Sequence, residues 1–378
     1  MKIDHCDSCL RPVFFENTKC LSCSRALAFF PDDREVCSLD AAGPGLWRRA
    51  NSVRGATYRL CANFTEHEVC NWVVAADDPN PLCLSCRLTR VIPDLQRPGA
   101  KDAWRRLENA KRRLVYSLLA LCLPLQNKVE DPQGGLAFEF LADTEPTEGP
   151  ANHILTGHNE GVIVINVAEA DDVEREKRRT LLGEPYRTLL GHFRHEIGHY
   201  YWDRLIAKSP LLQPFRACFG DESVDYNEAL ERHYQQGPPA DWSQRFISAY
   251  AASHPWEDWA ETWAHYMHMM DSVETARWFG VSSRSALPGE KSGSPNKPDS
   301  VRSDVFQSML DDWFALTCVI NNLNRGLGMP DAYPFVLTDP VIEKLRFVHR
   351  TVTPAPVAEN SLAPKAPMAT MAAPLAKT

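Results

Sequence analysis

No stretch of this chain approaches the ~20 consecutive apolar residues a membrane-spanning helix needs. The opening residues MKIDHCDSCL hold no apolar run of the kind a secretory signal carries. No membrane association is expected, and the chain reads as cytoplasmic. A basic excess is missing too: 41 Lys and Arg stand against 49 Asp and Glu, a formal net charge of -8. That balance argues against a surface built to coat nucleic acid or anionic lipid. What is present in quantity is cysteine, and it is unevenly placed. Of 12 cysteines, nine precede position 90, and six fall in Cys-x-x-Cys pairs. In a reducing compartment such pairs read as metal ligation rather than disulfides. Redox chemistry would call for one pair in a thioredoxin-like setting, not three.

Composition divides the chain. Residues 1–98 are rich in Cys, Pro, Asn and Asp with short apolar runs, the pattern of hairpins held by metal rather than by a large core. In the connector, 99–136, Trp104, Leu107, Leu114, Leu118 and Leu121 recur at helical spacing and predict a long amphipathic helix ended by Leu123-Pro124. Residues 137–350 follow, with two strands expected at AFEFLAD (137–143) and GVIVINVAEA (161–170). Helices are expected over about 172–204, 222–236, 241–252, 256–280 and 304–325. The Ser/Pro/Gly/Lys-rich stretch 281–303 reads as a flexible insertion, and the Ala/Pro tail 351–378 as disordered.

Cys6-x-x-Cys9 and Cys20-x-x-Cys23 have the two-knuckle spacing that directs four thiolates at one zinc. Cys61, Cys70, Cys83 and Cys86 form a second set with a single Cys-x-x-Cys, in which Cys37 and His67 compete for a ligand place. Cys122, Cys218 and Cys318 sit in apolar helical contexts and read as small buried hydrophobes. Basic residues cluster with an aromatic only around Trp47-Arg48-Arg49, Arg54 and Arg59, so a nucleic-acid partner is not expected. Both cysteine zincs are therefore read as structural.

The segment His192-Phe-Arg-His195-Glu196-Ile-Gly-His199-Tyr-Tyr-Trp-Asp203 places two histidines four apart. On a helix they share a face and can hold one zinc, with Glu196 beside them as general base toward an activated water. A third protein ligand is needed. The pattern HExxHxxGxxH is excluded, because Trp202 and Leu205 stand where it requires glycine and histidine. Asp203 lies about 12 Å along the helix from His195, which suits support of His199 rather than ligation. The better source is the stretch from Tyr250 to His265: His254-Pro255 marks a helix start, after which Glu257, Glu261 and His265 lie on one face. Glu228 and Glu222 are the alternatives.

HExxH followed by a distant ExxxE helix, with a tyrosine seven residues before its first glutamate, resembles the gluzincin arrangement of the lethal-factor catalytic domain. That resemblance covers only the active-site segments. It implies Glu257 as third ligand, Tyr250 as a donor to the oxyanion and Glu261 as support for the metal. The Cys-x-x-Cys pairs, CNWVV (70–74), AKRRLVYSLLALCLPL, EPYRTLLGHFRHEIGHYYW and HPWEDWAETWAHY also resemble a bacterial family of zinc-ribbon proteins with a zinc-metallopeptidase domain. The expectation is then an α+β chain: an N-terminal double zinc-ribbon-like region, then a mainly helical zincin-type domain with a small sheet. It would carry one catalytic and two structural zincs and act on a peptide or protein substrate laid along GVIVINVAEA as an edge strand. The competing reading is a catalytically silent, zinc-organised interaction module. It predicts loss of the base or of a ligand, and here Glu196 and both histidines are present.

Overall fold

The computed structural model describes residues 2–52, 55–143, 154–182, 188–281 and 305–353. The insertion, apart from Val281, and the tail from residue 354 lie outside them. Thr351 and Val352, assigned to the tail from sequence, still belong to the last helix.

The cysteine-rich part begins with a short ribbon, β1 (Asp4–His5) against β2 (Pro12–Val13). A five-stranded antiparallel meander follows: β3 (Leu27–Phe30), β4 (Glu35–Gly43), β5 (Leu46–Arg49), β6 (Tyr58–Leu60) and, after a single turn of helix α1 (Ala62–Thr65), β7 (Val73–Ala75). The two knuckles repeat one backbone device. Leu10 N donates to Cys6 O and Ser24 N to Cys20 O, and both residues take left-handed φ (58° and 63°) to close the loop around the sulfurs.

Strand β8 (Thr89–Val91) leaves this region to join the next sheet. Helix α2 (Ala100–Ala120) then runs beneath it, its Trp104, Leu107, Leu114 and Leu118 stripe fully buried. It stops before Pro124, because Cys122 turns left-handed (φ 52°). Strands β9 (Ala137–Leu141), β10 (Gly157–Asn159) and β11 (Val162–Asn166) complete a four-stranded sheet in the order β10-β11-β9-β8. GVIVINVAEA is therefore not the edge. Its strand is paired on both sides, and Asn166 accepts from Ala168 N to start a tight helical turn over Val167–Ala170. Among the described residues the sheet ends in β8 on one side and β10 on the other; β10, the edge strand in contact with α4, has a Gly-His-Asn composition that carries no strand signal.

The helices follow as α3 (Asp172–Leu182), α4 (Leu189–Leu205), α5 (Leu212–Phe219), α6 (Tyr226–Gln236), α7 (Trp242–Arg245), α8 (Pro255–Trp278), α9 (Val305–Gly326) and α10 (Asp339–Val352). The helix expected over 241–252 is only the four-residue α7 and a turn at Tyr250–Ala252, and α5 was not expected. Helix α4 is capped by Thr188, whose hydroxyl accepts from Gly191 N. Helix α8 opens with Pro255 at its first position and His254 as cap.

These two helices cross tightly because Gly198 presents no side chain: a Cβ there would lie 3.1 Å from Ala260 Cα and 3.2 Å from Trp263 Cγ. Trp259 Nε1 donates to Gly198 O at the same crossing, at 2.8 Å. One residue before the first histidine, buried Arg194 bonds His268 and Asp271 of α8, and Asp271 accepts from Ser117 of α2 at 2.6 Å. Helices α2, α4 and α8 are thus locked beneath the sheet. No helix among the described residues is long and apolar enough to cross a membrane.

Candidate metal centre

Two helices supply the centre. From α4, His195 and His199 bring their Nε2 atoms to 3.2 Å from each other. From the first turn of α8, Glu257 Oε2 approaches them at 3.0 Å and 3.5 Å. His195 Nδ1 faces Glu261 Oε1 at 2.8 Å, and Glu261 accepts from Ser248 Oγ at 2.7 Å on its other oxygen. A proton on His195 Nδ1 leaves Nε2 as a lone pair pointing at its two neighbours. Tyr226 donates to Glu257 Oε1 at 2.7 Å, which reserves Oε2 for the histidines.

Charge follows this geometry. Burial alone would favour a neutral Glu257, but His199 and His195 prevail and hold it well below the usual carboxylate range. Burial also works against ionisation of Glu261, and the His195 bond brings it down to about 2. Both carboxylates are anionic at neutral pH. Two imidazole nitrogens and a carboxylate oxygen this close need a cation among them, either a metal ion or a proton. Burial opposes a charge on His195, but Glu257 and Glu261 prevail and raise its pKa well above the usual value. A tetrahedral zinc at ~2.0–2.1 Å from each ligand separates them by about 3.3–3.4 Å, so this donor set fits zinc.

Other side chains surround this core. Glu196 is 8% exposed on the same helix, and its charge acts on the Tyr226 and Tyr250 hydroxyls. The Tyr250 ring lies 6.0 Å from that of His195, and burial pushes its hydroxyl well above the usual value, so it stays a donor. Trp256 packs on His199 with ring centroids 3.9 Å apart. On edge strand β10, His158 stands 6.4 Å from the His199 ring, and burial takes its pKa down to about 3, leaving it neutral.

The other acids expected near the metal lie elsewhere. Glu222 is held by Arg216 at 2.6 Å, Glu228 is exposed on α6, and neither joins the cluster. Asp203 does stay beside His199: burial pushes its carboxyl up while the His199 charge draws it down, but no hydrogen bond joins the two. His265, on the face of Glu257 and Glu261, turns to Tyr333 instead at 2.8 Å.

The cysteines gather in two groups. In the first, Cys6 and Cys23 bring their sulfurs to 3.6 Å, as do Cys9 and Cys20, and in the second Cys70 and Cys83 to 3.7 Å, with all four sulfurs of each group within 4.8 Å of one another. Tetrahedral zinc thiolates at ~2.3 Å give sulfur–sulfur edges of about 3.8 Å, so both groups have the dimensions of a zinc site. Cys37 stays apart, buried on β4 with its thiol pushed up to about 12 by burial, while His67 packs edge-on against Trp104. Cys122 and Cys318 are exposed and Cys218 is half-buried, so none is the fully buried hydrophobe expected. The second group is wholly buried under α2, where Arg112 Nη1 donates to Val69 O at 2.6 Å. Burial opposes the Arg112 charge, but Cys70, Glu108, Cys86 and Cys83 favour it and prevail.

The model of a family described as "Putative zinc-binding metallo-peptidase" matches residues 100–351, and that of a zinc-ribbon domain matches residues 3–97. The chain belongs to this zinc-ribbon metallopeptidase family. Similar relatives are proteins named only as uncharacterized from Mycobacterium bovis and from Mycobacterium tuberculosis strains H37Rv and CDC 1551. Each is 42% identical over 355 residues, which is 93% of this chain and 95% of the relative. No solved structure matches the chain. Family membership and the two four-cysteine clusters together make this a zinc-binding chain of metallopeptidase type.

Sequence reasoning passed over Tyr226 and His158. Tyr226 stands in Asp225-Tyr-Asn-Glu228, where the acids drew attention, and only its place after the capping Asp225 fixes it toward Glu257. His158 carried no signal until β10 became an edge of the sheet.

Proposed function

We propose that the chain is a zinc-dependent metallopeptidase hydrolysing peptide bonds, with His195, His199 and Glu257 as the ligands of its catalytic zinc. The convergence of His195 Nε2, His199 Nε2 and Glu257 Oε2 from two helices carries this reading. When bound, zinc supplies a Lewis acid that polarises a carbonyl and lowers the pKa of water. Glu196 takes the proton of the attacking water on its carboxylate and delivers it to the leaving amine. Glu261 holds His195 in the tautomer that frees Nε2. Tyr226 fixes the rotamer of Glu257. Tyr250, kept protonated by burial, donates to the oxygen on which negative charge develops. An extended substrate adds to the free edge of β10 by main-chain hydrogen bonds.

Two expectations follow. Elemental analysis of freshly prepared reduced protein should give three zinc ions per chain, one for each ligand group. A count of two with the cysteine sites full would remove the helical zinc. Tyr250→Phe should keep that zinc and lose roughly 10²–10³ in turnover on a peptide that the wild type cleaves, selected from an unbiased library. An unchanged turnover would take Tyr250 out of the mechanism.

A further inference from the structure

The two histidines of α4 are supported unequally. His195 Nδ1 has Glu261 directly behind it, whereas His199 Nδ1 is buried with no protein acceptor among the described residues. If His199 turns Nε2 to the metal, its Nδ1 carries a proton, and this N–H needs an acceptor. A buried donor left unpaired costs about 1–3 kcal/mol.

Beside it stands a second such donor. His158 Nε2 accepts from Gly161 N at 3.0 Å, which puts the His158 proton on Nδ1. That atom is also buried without a protein partner among the described residues. The two rings are close to parallel, 18° apart, on facing elements, with Trp256 packed against both. Two N–H donors on neighbouring rings are satisfied together by one oxygen carrying two lone pairs, and water is the smallest such group.

His158 is also held rigidly enough to orient a neighbour. The turn after it takes left-handed φ at Glu160 (46°) and Gly161 (82°), and a Cβ on Gly161 would strike Gly135 O at 2.3 Å. Lys128 Nζ donates to Glu160 O at 2.6 Å and to Gln133 O at 2.9 Å, fastening the turn to the loop before β9. Tyr200, next to His199, donates to Gly134 O in that loop at 3.0 Å. Hairpin, loop and zinc-site helix form one braced unit, with the imidazole of His158 inside it.

We infer that His158 is a positioning residue for His199: a single water accepting from both Nδ1 atoms fixes the His199 ring, in the role that Glu261 plays for His195. This rests on the metal reading of the helical site. The β10 edge of the sheet thereby reaches the metal through its own side chain, so a substrate strand laid on β10 presses on the residue that aims one ligand.

The test is zinc release to a graded chelator from the full-length protein, in wild type, His158→Phe, His158→Asn and Glu257→Ala, the last marking zinc held by the cysteine sites alone. His158→Phe keeps the ring volume and should weaken the helical site about 10–100-fold, the usual effect of losing an outer partner of a ligand. His158→Asn places an amide N–H where Nδ1 was, while its oxygen falls at the Cδ2 position and not at Nε2, so it should recover part of that loss. Melting of each variant after its weakest zinc is removed should match wild type, which separates positioning from folding. Wild-type release from His158→Phe, or a His158→Asn no better than His158→Phe, would overturn the inference. Identical release by wild type and Glu257→Ala would instead bring down the helical zinc itself.

Discussion

Glu257→Ala is expected to lose the helical zinc, while Glu196→Gln keeps it and loses turnover. The two acids have opposite tasks. Glu257 Oε2 lies 3.0 Å and 3.5 Å from the two imidazole nitrogens, so its removal leaves a metal with two neutral protein ligands and no anionic one. Glu196 is not among the three converging ligand groups, and its amide analogue keeps the shape while removing the proton acceptor. General-base catalysis contributes about 10²–10⁴ in rate, and turnover of Glu196→Gln should fall by at least that much. Because Tyr226 donates to Glu257, the alanine variant also strands a hydroxyl. Glu257→Gln keeps that bond and isolates the loss of charge. Glu261→Ala should fall between, with about 10–100-fold weaker metal affinity. The measurement is zinc content beside cleavage rate, and a fully metallated Glu257→Ala would overturn the ligand assignment.

Cys83→Ser should cost more in folding than any change at the helical site. Its cluster is wholly buried, and the buried Arg112 guanidinium has those sulfurs, together with Glu108, as its counter-charges. Removing a thiolate weakens the metal site and strips a buried cation of part of its counter-charge, the costlier half of a broken buried pair. Structural zinc contributes about 10–16 kcal/mol of apparent binding free energy in small domains, all of it linked to folding. Cys9→Ser, at the cluster with an exposed Cys23, should be milder, and His195→Ala milder again, because α4 is held by its own packing. Thermal melts of the three variants give the order. A Cys83→Ser protein melting with the wild type would show that its zinc does not hold the fold.

The sequence made some of this readable and hid the rest, for physical reasons. HExxH is a local device, two ligands and an acid on a single helix, so spacing alone predicts it. The knuckles are local too. Glu257 lies 58 positions beyond His199, and its helix could be predicted without predicting which acid turns inward; the resemblance to a known arrangement chose it. Glu222 was a fair rival until Arg216 took it, a contact between neighbours that no periodicity reports. The sheet edge was misread because β-branched residues mark burial, and burial on both sides is what excludes an edge. The edge beside β11, Gly157–Asn159, is short and polar, as exposed edges tend to be. Cys122 looked apolar and buried, yet it ends a helix by turning left-handed, which its residue type does not announce.

Strand β8 comes from the cysteine-rich part but pairs with β9 in the other sheet, and Phe15, Phe29 and Trp72 pack with Tyr116 of α2 in one aromatic cluster. The two family models part between residues 97 and 100, at a seam the folded chain does not possess. A chain begun at Ala100 would bare the edge of β9, deprive Arg112 of its sulfurs and expose the Tyr116 face to water. The helical part is for that reason not a portable module: cut from the ribbon, it would lose one of the walls it is built against.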